Sequence, residues 1–231
     1  GRGRTGSGKT IAFAIPLVAN LTEDADAQRR RNRPRAIVLA PTRELVTQIA
    51  ETVKLLADPV KIRVTTIFGG VSQRRQEEVL ERGVDIVVAA PGRLDDLMKQ
   101  GLVDLSGVEI TVLDEADHMA DMGFLPVVTR ILNKTPKVGQ RLLFSATLDN
   151  GVDNIVKKYL HDPILHSVDS AESPVPQLTH HVFEVGDKDD KDALIEALAS
   201  GTGRRIMFTR MKHQAKRLAK KLTSAGIPAV E

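Results

Sequence analysis

The chain has 231 residues, room for one large or two modest domains, and its 42% hydrophobic and 27% charged content is that of an ordinary globular fold. Aromatics make up only 3%, with no Trp, which excludes a broad base-stacking surface and leaves the core to Val, Ile, Leu and Ala. There is no Cys, which excludes disulfides and thiolate metal sites, and the formal charge of +3 is too mild to name a partner.

No apolar run approaches the ~18 residues that a spanning helix needs, and Gly1-Arg2-Gly3-Arg4 lacks the apolar segment of a secretory signal. A cytoplasmic protein without membrane contact, and a monomer, is expected. Gly3-Arg4-Thr5-Gly6-Ser7-Gly8-Lys9-Thr10 fits the phosphate-loop pattern G-x-x-x-x-G-K-[ST]. Glycines let backbone N–H groups curl around phosphate oxygens, and the helix that follows aims its positive end at the same anion. Lys9 would reach the β- and γ-phosphates, and the Thr10 hydroxyl would ligate Mg²⁺. Such a loop normally follows a strand, so its supporting strand is expected upstream of Gly1.

A helix runs over Ile11 to Leu21, with a kink expected at Pro16. Thr22 to Pro34 is polar and ends in the basic run Arg29-Arg30-Arg31-Asn32-Arg33, which is either a phosphate-contacting arm or, the favoured reading, a solvated loop. Arg35 to Ala40 is a strand. Pro41-Thr42-Arg43 then opens a helix to about Leu56, with Thr42 as N-cap and Leu45, Ile49, Val53 and Leu56 on one face. Arg43 opposes the helix dipole there, a conflict that points it at a phosphate. Lys61 to Phe68 is a strand ending in Gly69-Gly70, and Ser72 to Arg82 is a polar helix. Asp85 to Ala90 is a buried strand followed by Pro91-Gly92-Arg93 opening another helix. Parallel strands would bring these three turns to one edge as an anion-binding rim.

Val108 to Leu113 is a buried strand tipped by Asp114-Glu115-Ala116-Asp117. Carboxylates at such a tip lie where α/β sheets bind ligands, and they are costly there without a cation or a shared proton. A short connection leads to a helix from about Leu125 to Asn133; Arg141 to Phe144 is a strand with Ser145-Ala146-Thr147 at its end, and Val152 to Leu160 is a helix. Residues 161–177, with Pro163, Pro174 and Pro176, read as a linker. Beyond it come a strand from Leu178 to Val185, a helix from Asp190 to Ser200, a strand from Arg205 to Phe208, a basic helix from Lys212 to Ser224 and a strand start at Ile227. That stretch is too short for a core of its own and should expose apolar surface. The histidines, His118, His161, His166, His180, His181 and His213, show no metal-ligand spacing and read as surface or packing residues.

The ordered set of phosphate loop, Pro-Thr-Arg-Glu-Leu, Gly-Gly, Pro-Gly-Arg, Asp-Glu-Ala-Asp and Ser-Ala-Thr resembles the DEAD-box family of ATP-dependent RNA helicases, bacterial type, over essentially the whole chain. The resemblance implies an α/β fold, a RecA-like parallel sheet flanked by helices over residues 1–160, with the opening part of a second RecA-like domain over 178–231. It implies that ATP is held by Thr5, Gly6, Ser7, Gly8, Lys9 and Thr10, and Mg²⁺ by Thr10 and Asp114, with Glu115 activating water. It implies RNA backbone contacts from Pro41, Thr42, Arg43, Gly69, Gly70, Pro91, Gly92 and Arg93, and coupling of hydrolysis to domain closure through Asp117, Ser145, Ala146 and Thr147. Phe208-Thr209-Arg210 resembles the family's first motif in its second domain. The chain departs from the family at Gly3, at Ala90, where a Thr is usual, and at Met211.

No adenine-reading motif precedes Gly1, and the second domain's arginine fingers would lie beyond Glu231, so this chain alone is expected to be a poor ATPase. The expected activity is local separation of short RNA duplexes. The alternatives are a DNA helicase or translocase of the same superfamily and a non-catalytic, ATP-dependent RNA clamp.

Overall fold

Short runs of Val, Ile, Leu and Ala, too apolar for any solvent-facing role, form the centre of the first of two compact units, Gly1–Ser173 and Pro174–Glu231, in the computed structural model. The structure describes residues 1–3, 6–23, 29–149, 151–167, 179 and 181–231. The first unit runs α1 (Lys9–Glu23), β1 (Ala36–Leu39), α2 (Arg43–Ala57), β2 (Val64–Ile67), α3 (Gln73–Glu81), β3 (Ile86–Ala89), α4 (Pro91–Lys99), β4 (Ile110–Leu113), α5 (Ala116–Asp121), α6 (Leu125–Leu132), β5 (Gln140–Leu143) and α7 (Val152–Tyr159). The strands pair in parallel in the order β2-β3-β1-β4-β5. Every residue of β1, β3 and β4 is buried, as continuous apolar strands in a sheet covered on both faces must be.

Side chains alternate between the two faces. Ala36, Val38 and Ala40 meet Phe13, Leu17 and Leu21 of α1 and Val46, Ile49 and Val53 of α2 on one side. Ile37 and Leu39 meet Leu94 and Leu97 of α4, Ile131 of α6 and Ile155 of α7 on the other. The result is the expected three-layer α/β fold. The inner face of α2 keeps the expected Ile49 and Val53 at its centre; Val46, Ala50 and Ala57 are buried with them, while Leu45 and Leu56 are half-buried at its border. α1 continues through Pro16 without interruption. The helix α5 was not expected; it starts inside the acidic stretch instead of after a connection.

The strand expected to carry the phosphate loop belongs upstream of Gly1; at Gly1–Gly3 the chain forms isolated bridges and no strand. Arg2 bridges Ser145 and Ser167 in parallel, the Gly1 amine donates to Leu143 O at 2.7 Å, and Ser145 N–H donates to Gly1 O at 3.1 Å. These residues therefore flank β5 on the side away from β4.

The basic run is consumed by structure. Arg29 donates to Asp85 at 2.7 Å, Arg31 faces Glu81 at 3.9 Å, Arg33 faces Asp104 at 3.5 Å, and Arg35 grips Glu109 at 2.7 Å. These pairs accord with the favoured reading of a surface loop, with Arg29, Arg30 and Arg31 exposed. Asp85 is buried and also accepts the Arg63 N–H at 2.8 Å, tying β2 and β3 to the loop before β1. Asp85→Ala leaves both donors without that partner and should lower the unfolding free energy by about 2–3 kcal/mol, read from urea denaturation of purified protein. A change within ~0.5 kcal/mol would show that water replaces the carboxylate.

The second unit holds α8 (Lys188–Ala199) and α9 (Lys212–Ser224). Lys221 of α9 pairs with Asp192 and Glu196 of α8 at 2.9 and 3.2 Å. The strands expected near 181–185, 205–208 and 227 are absent among the described residues. A strand exists through its neighbour's hydrogen bonds, and none of these segments has one. Their apolar residues are accordingly exposed, Phe208 by 94%. Leu178, His180 and linker residues 168–177 lie outside the described residues. Among the described residues no helix is long and apolar enough to cross a membrane.

Candidate functional site

Because all five strands are parallel, their C-terminal tips share one edge, and the sheet order decides which tips are neighbours. Read along that edge, the turns are Gly69-Gly70, Pro91-Gly92-Arg93, Pro41-Thr42-Arg43, Asp114 to Asp117, Ser145 to Thr147, and then Gly1–Gly3 leading into the phosphate loop. The edge divides between β1 and β4. One half carries the three turns expected to hold anions; the other carries the loop and the carboxylates.

In the loop, Gly6 and Gly8 both have φ of +83°, which other residues strongly resist. No acidic residue stands in the first turn of α1, so its positive end is open to an anion. Lys9 Nζ donates to Gly3 O at 2.6 Å, folding its ammonium over the loop's root. Thr10 is half-buried in the first turn. Arg4 and Thr5 lie outside the described residues.

Asp114 is 3% exposed. Burial pushes its carboxyl up to about 6, against the opposing pull of the Glu115 N–H, 3.0 Å from Oδ1, and of the Lys9 charge. A desolvated carboxylate with incomplete compensation is a ready cation ligand. Among the described residues no group of three His, Cys, Asp or Glu is placed to hold a metal. Mg²⁺ takes one or two protein oxygens and completes its shell with phosphates and water, and the Asp114 carboxylate and Thr10 hydroxyl are oxygen donors of that kind.

Glu115 sits in the left-handed region, φ 50° and ψ 53°, at the N-cap of α5. For a non-glycine residue this is strained, and it turns the side chain out of the strand direction. Its Oε2 lies 3.3 Å from Nδ1 of His118, an exposed histidine three residues on, in a contact across the first turn of α5. Nothing in the spacing announced it, because α5 was not expected.

Asp117 is the junction. Its Oδ2 accepts the N–H groups of Ala146 and Thr147, each at 3.1 Å, and its own N–H donates to Ser145 Oγ at 3.1 Å. Burial alone would raise this carboxyl, but hydrogen bonds with Thr147, Ser145 and His118 hold it below the ordinary aspartate value. Ser145, fully buried, also accepts the Gly3 N–H at 3.2 Å through its carbonyl. One residue thus touches both the root of the phosphate loop and the acidic stretch.

In the other half, the Thr42 hydroxyl accepts the Leu45 N–H at 3.2 Å, so it caps α2 as expected. Arg43 is more than half exposed, and its Nη1 lies 3.5 Å from where a Cβ on Gly70 would sit. Gly70 itself has φ of +81°. Pro91 is buried in the first turn of α4, and Gly92 is exposed beside it. Among the described residues Arg93 Nη1 is buried without a hydrogen-bond partner, a cationic donor that fits an anionic ligand. Asp95, held by Arg130 at 2.8 Å and by Lys99 at 2.7 Å, fastens α4 to α6 behind that turn.

The family model described as DEAD/DEAH box helicase matches residues 1–155. The ATP-dependent RNA helicase RhlB of Pseudomonas aeruginosa is 39% identical over the whole chain, which spans 59% of that relative's length. Among solved structures, a DEAD box protein from Methanococcus jannaschii aligns over 99% of this chain and 60% of its own, with TM-score 0.65 and 32% identity. The yeast DEAD-box splicing factor Prp28 aligns over 96% of this chain and 52% of its own, with TM-score 0.68 and 33% identity.

Proposed function

The chain belongs to the DEAD/DEAH box helicase family, and from that premise we propose that it is the ATP-binding and RNA-gripping part of an ATP-dependent RNA helicase that opens short duplexes locally. The reading rests above all on one observation: a nucleotide half and an anion-binding half share one sheet edge, and Asp117 and Ser145 join the carboxylates to the loop. Residues 1–160 form the first RecA-like domain, 161–177 the linker, and 178–231 the start of a second such domain.

Gly6, Ser7, Gly8 and Lys9, with Thr5, hold the triphosphate. Asp114 and Thr10 would hold Mg²⁺, which when bound would supply charge neutralisation at the phosphates. Glu115 orients the attacking water and takes its proton; the left-handed backbone fixes where that carboxylate points. Asp117 senses the state of the loop through Ser145 and passes it to Ala146 and Thr147. Arg43, Gly70 and Arg93, with Thr42, Pro41, Gly69, Pro91 and Gly92, hold the sugar–phosphate backbone, so binding is independent of sequence. Contacts to 2′-hydroxyls favour RNA over DNA.

The test is ATP hydrolysis by the intact protein with and without single-stranded RNA. Markedly faster turnover with RNA, and not with matched DNA, is the expected outcome. Equal activation by DNA would instead favour a DNA translocase, and binding of both ligands without stimulated turnover would favour a clamp.

A further inference from the structure

Gln76 is the one buried side chain on α3 besides Leu80, in a helix, QRRQEEVLE, whose apolar residues are only Val79 and Leu80. Burying an amide is unfavourable unless every polar atom finds a partner. Gln76 finds both on one residue. Its Oε1 accepts the Phe68 N–H at 3.2 Å, and its Nε2 donates to Phe68 O at 3.2 Å.

Phe68 is the first residue past β2, whose last register pair with β3 is Ile67 with Ala89. Among the described residues β2 is also an edge strand. Its open side therefore offers unpaired backbone groups just where the chain turns into Gly69-Gly70. The Gln76 amide supplies the two bonds that a neighbouring strand would have made. Gln73, one turn earlier, holds α3 in place by donating to Gln100 at 2.8 Å.

We propose that Gln76 is a positioning residue for RNA binding: by pairing both backbone groups of Phe68 it fixes the Gly69-Gly70 turn against Arg43. This rests on the reading of that rim as the RNA site. Two adjacent exposed glycines have the widest conformational freedom available to a chain, and a turn built from them binds well only if something beside it limits that freedom. Strand pairing does this up to Ile67, and Gln76 extends it by one residue. Gln76 does not touch the ligand; it holds the residue before the turn. Among the described residues its hydrogen bonds go to Phe68 alone, and β3 and β1 stand between it and the nucleotide half.

The experiment compares the parent chain with Gln76→Met, Gln76→Glu and Arg43→Ala. Three quantities are read: affinity for an oligouridylate with a non-hydrolysable ATP analogue present, affinity for ADP, and cooperative thermal unfolding. Gln76→Met removes both bonds at similar volume and should weaken oligouridylate binding about tenfold with ADP binding within about twofold. Gln76→Glu keeps an acceptor for the Phe68 N–H and should fall between the two. If the Met variant does not fold, the Glu variant decides. Folded Gln76 variants that bind oligouridylate like the parent, while Arg43→Ala loses affinity, would overturn the inference and leave the RNA reading intact. Equal weakening toward ADP and RNA would reduce Gln76 to a general stabiliser and overturn it too. A parent chain that does not bind oligouridylate would overturn both.

Discussion

Glu115→Gln should slow ATP hydrolysis by ~10²–10⁴-fold while leaving ATP and RNA affinities within a few-fold of the parent. The amide matches the carboxylate in shape and still hydrogen-bonds water, but it cannot accept a proton at neutral pH. The geometry makes the substitution clean. Glu115 takes no part in the Asp117–Ser145–Gly3 junction, and its side chain meets only His118 among the contacts described above. Single-turnover hydrolysis by the intact protein, set beside equilibrium binding of both ligands, separates chemistry from binding. Unchanged turnover would move the base elsewhere. A companion change, Glu115→Gly, relieves the left-handed backbone at φ 50° and should raise stability by about 1 kcal/mol with the same loss of turnover.

Asp114→Asn should make the ligand-free protein more stable and the enzyme inert. The folded protein holds this carboxyl at about 6, against an ordinary 3.8. A raised value means that the native state keeps its proton where the unfolded chain has lost it. Below about pH 4 both states are protonated and the penalty is absent. Between about pH 4 and 6 it grows, and above about 6 it is complete, at about 1–3 kcal/mol. The Asn variant escapes it. Urea denaturation from pH 4 to 8 without nucleotide should therefore show a stability gap in favour of Asn that is near zero at the acid end and full at neutral pH. A gap that widened toward acid would overturn the account. Saturating Mg²⁺–ATP should close or reverse the gap, because only the parent gains the ion's binding free energy. A site carboxylate that weakens the empty fold is the ordinary exchange of stability for function.

Much of this was legible because the relevant physics is local. The β-branched run before Asp114 announces a buried strand, and a parallel sheet then places the acidic tip at the ligand-binding edge. Gly6, Gly8, Lys9 and Thr10 announce an anion site through backbone freedom and charge alone. What stayed hidden is relational. The left-handed conformation of Glu115 cannot be read from a glutamate, so α5 and the approach of His118 were missed with it. Gln76 looked like one more polar residue on a polar helix, because its burial depends on an edge strand elsewhere in the chain. The ion pairs of Arg29, Arg31 and Arg33 with Asp85, Glu81 and Asp104 could not be read from the basic run either, because each acid lies about fifty residues or more away in the sequence. The strands expected after the linker failed for the same kind of reason: alternation records a preference, while pairing needs a partner.

The order of strands along the ligand edge has a consequence for how such a protein diverges. The turns proposed to hold nucleic acid and those proposed to hold nucleotide occupy separate, contiguous stretches, with the β1–β4 seam between them. Substitutions far enough apart to share no partner act nearly independently. A lineage can therefore retune its grip at Arg43, Gly70 or Ala90 to suit a new target while inheriting the hydrolytic half unaltered. The reverse is harder. Ser145 belongs to both the loop's root and the acidic stretch, so drift on that side is constrained from two directions at once.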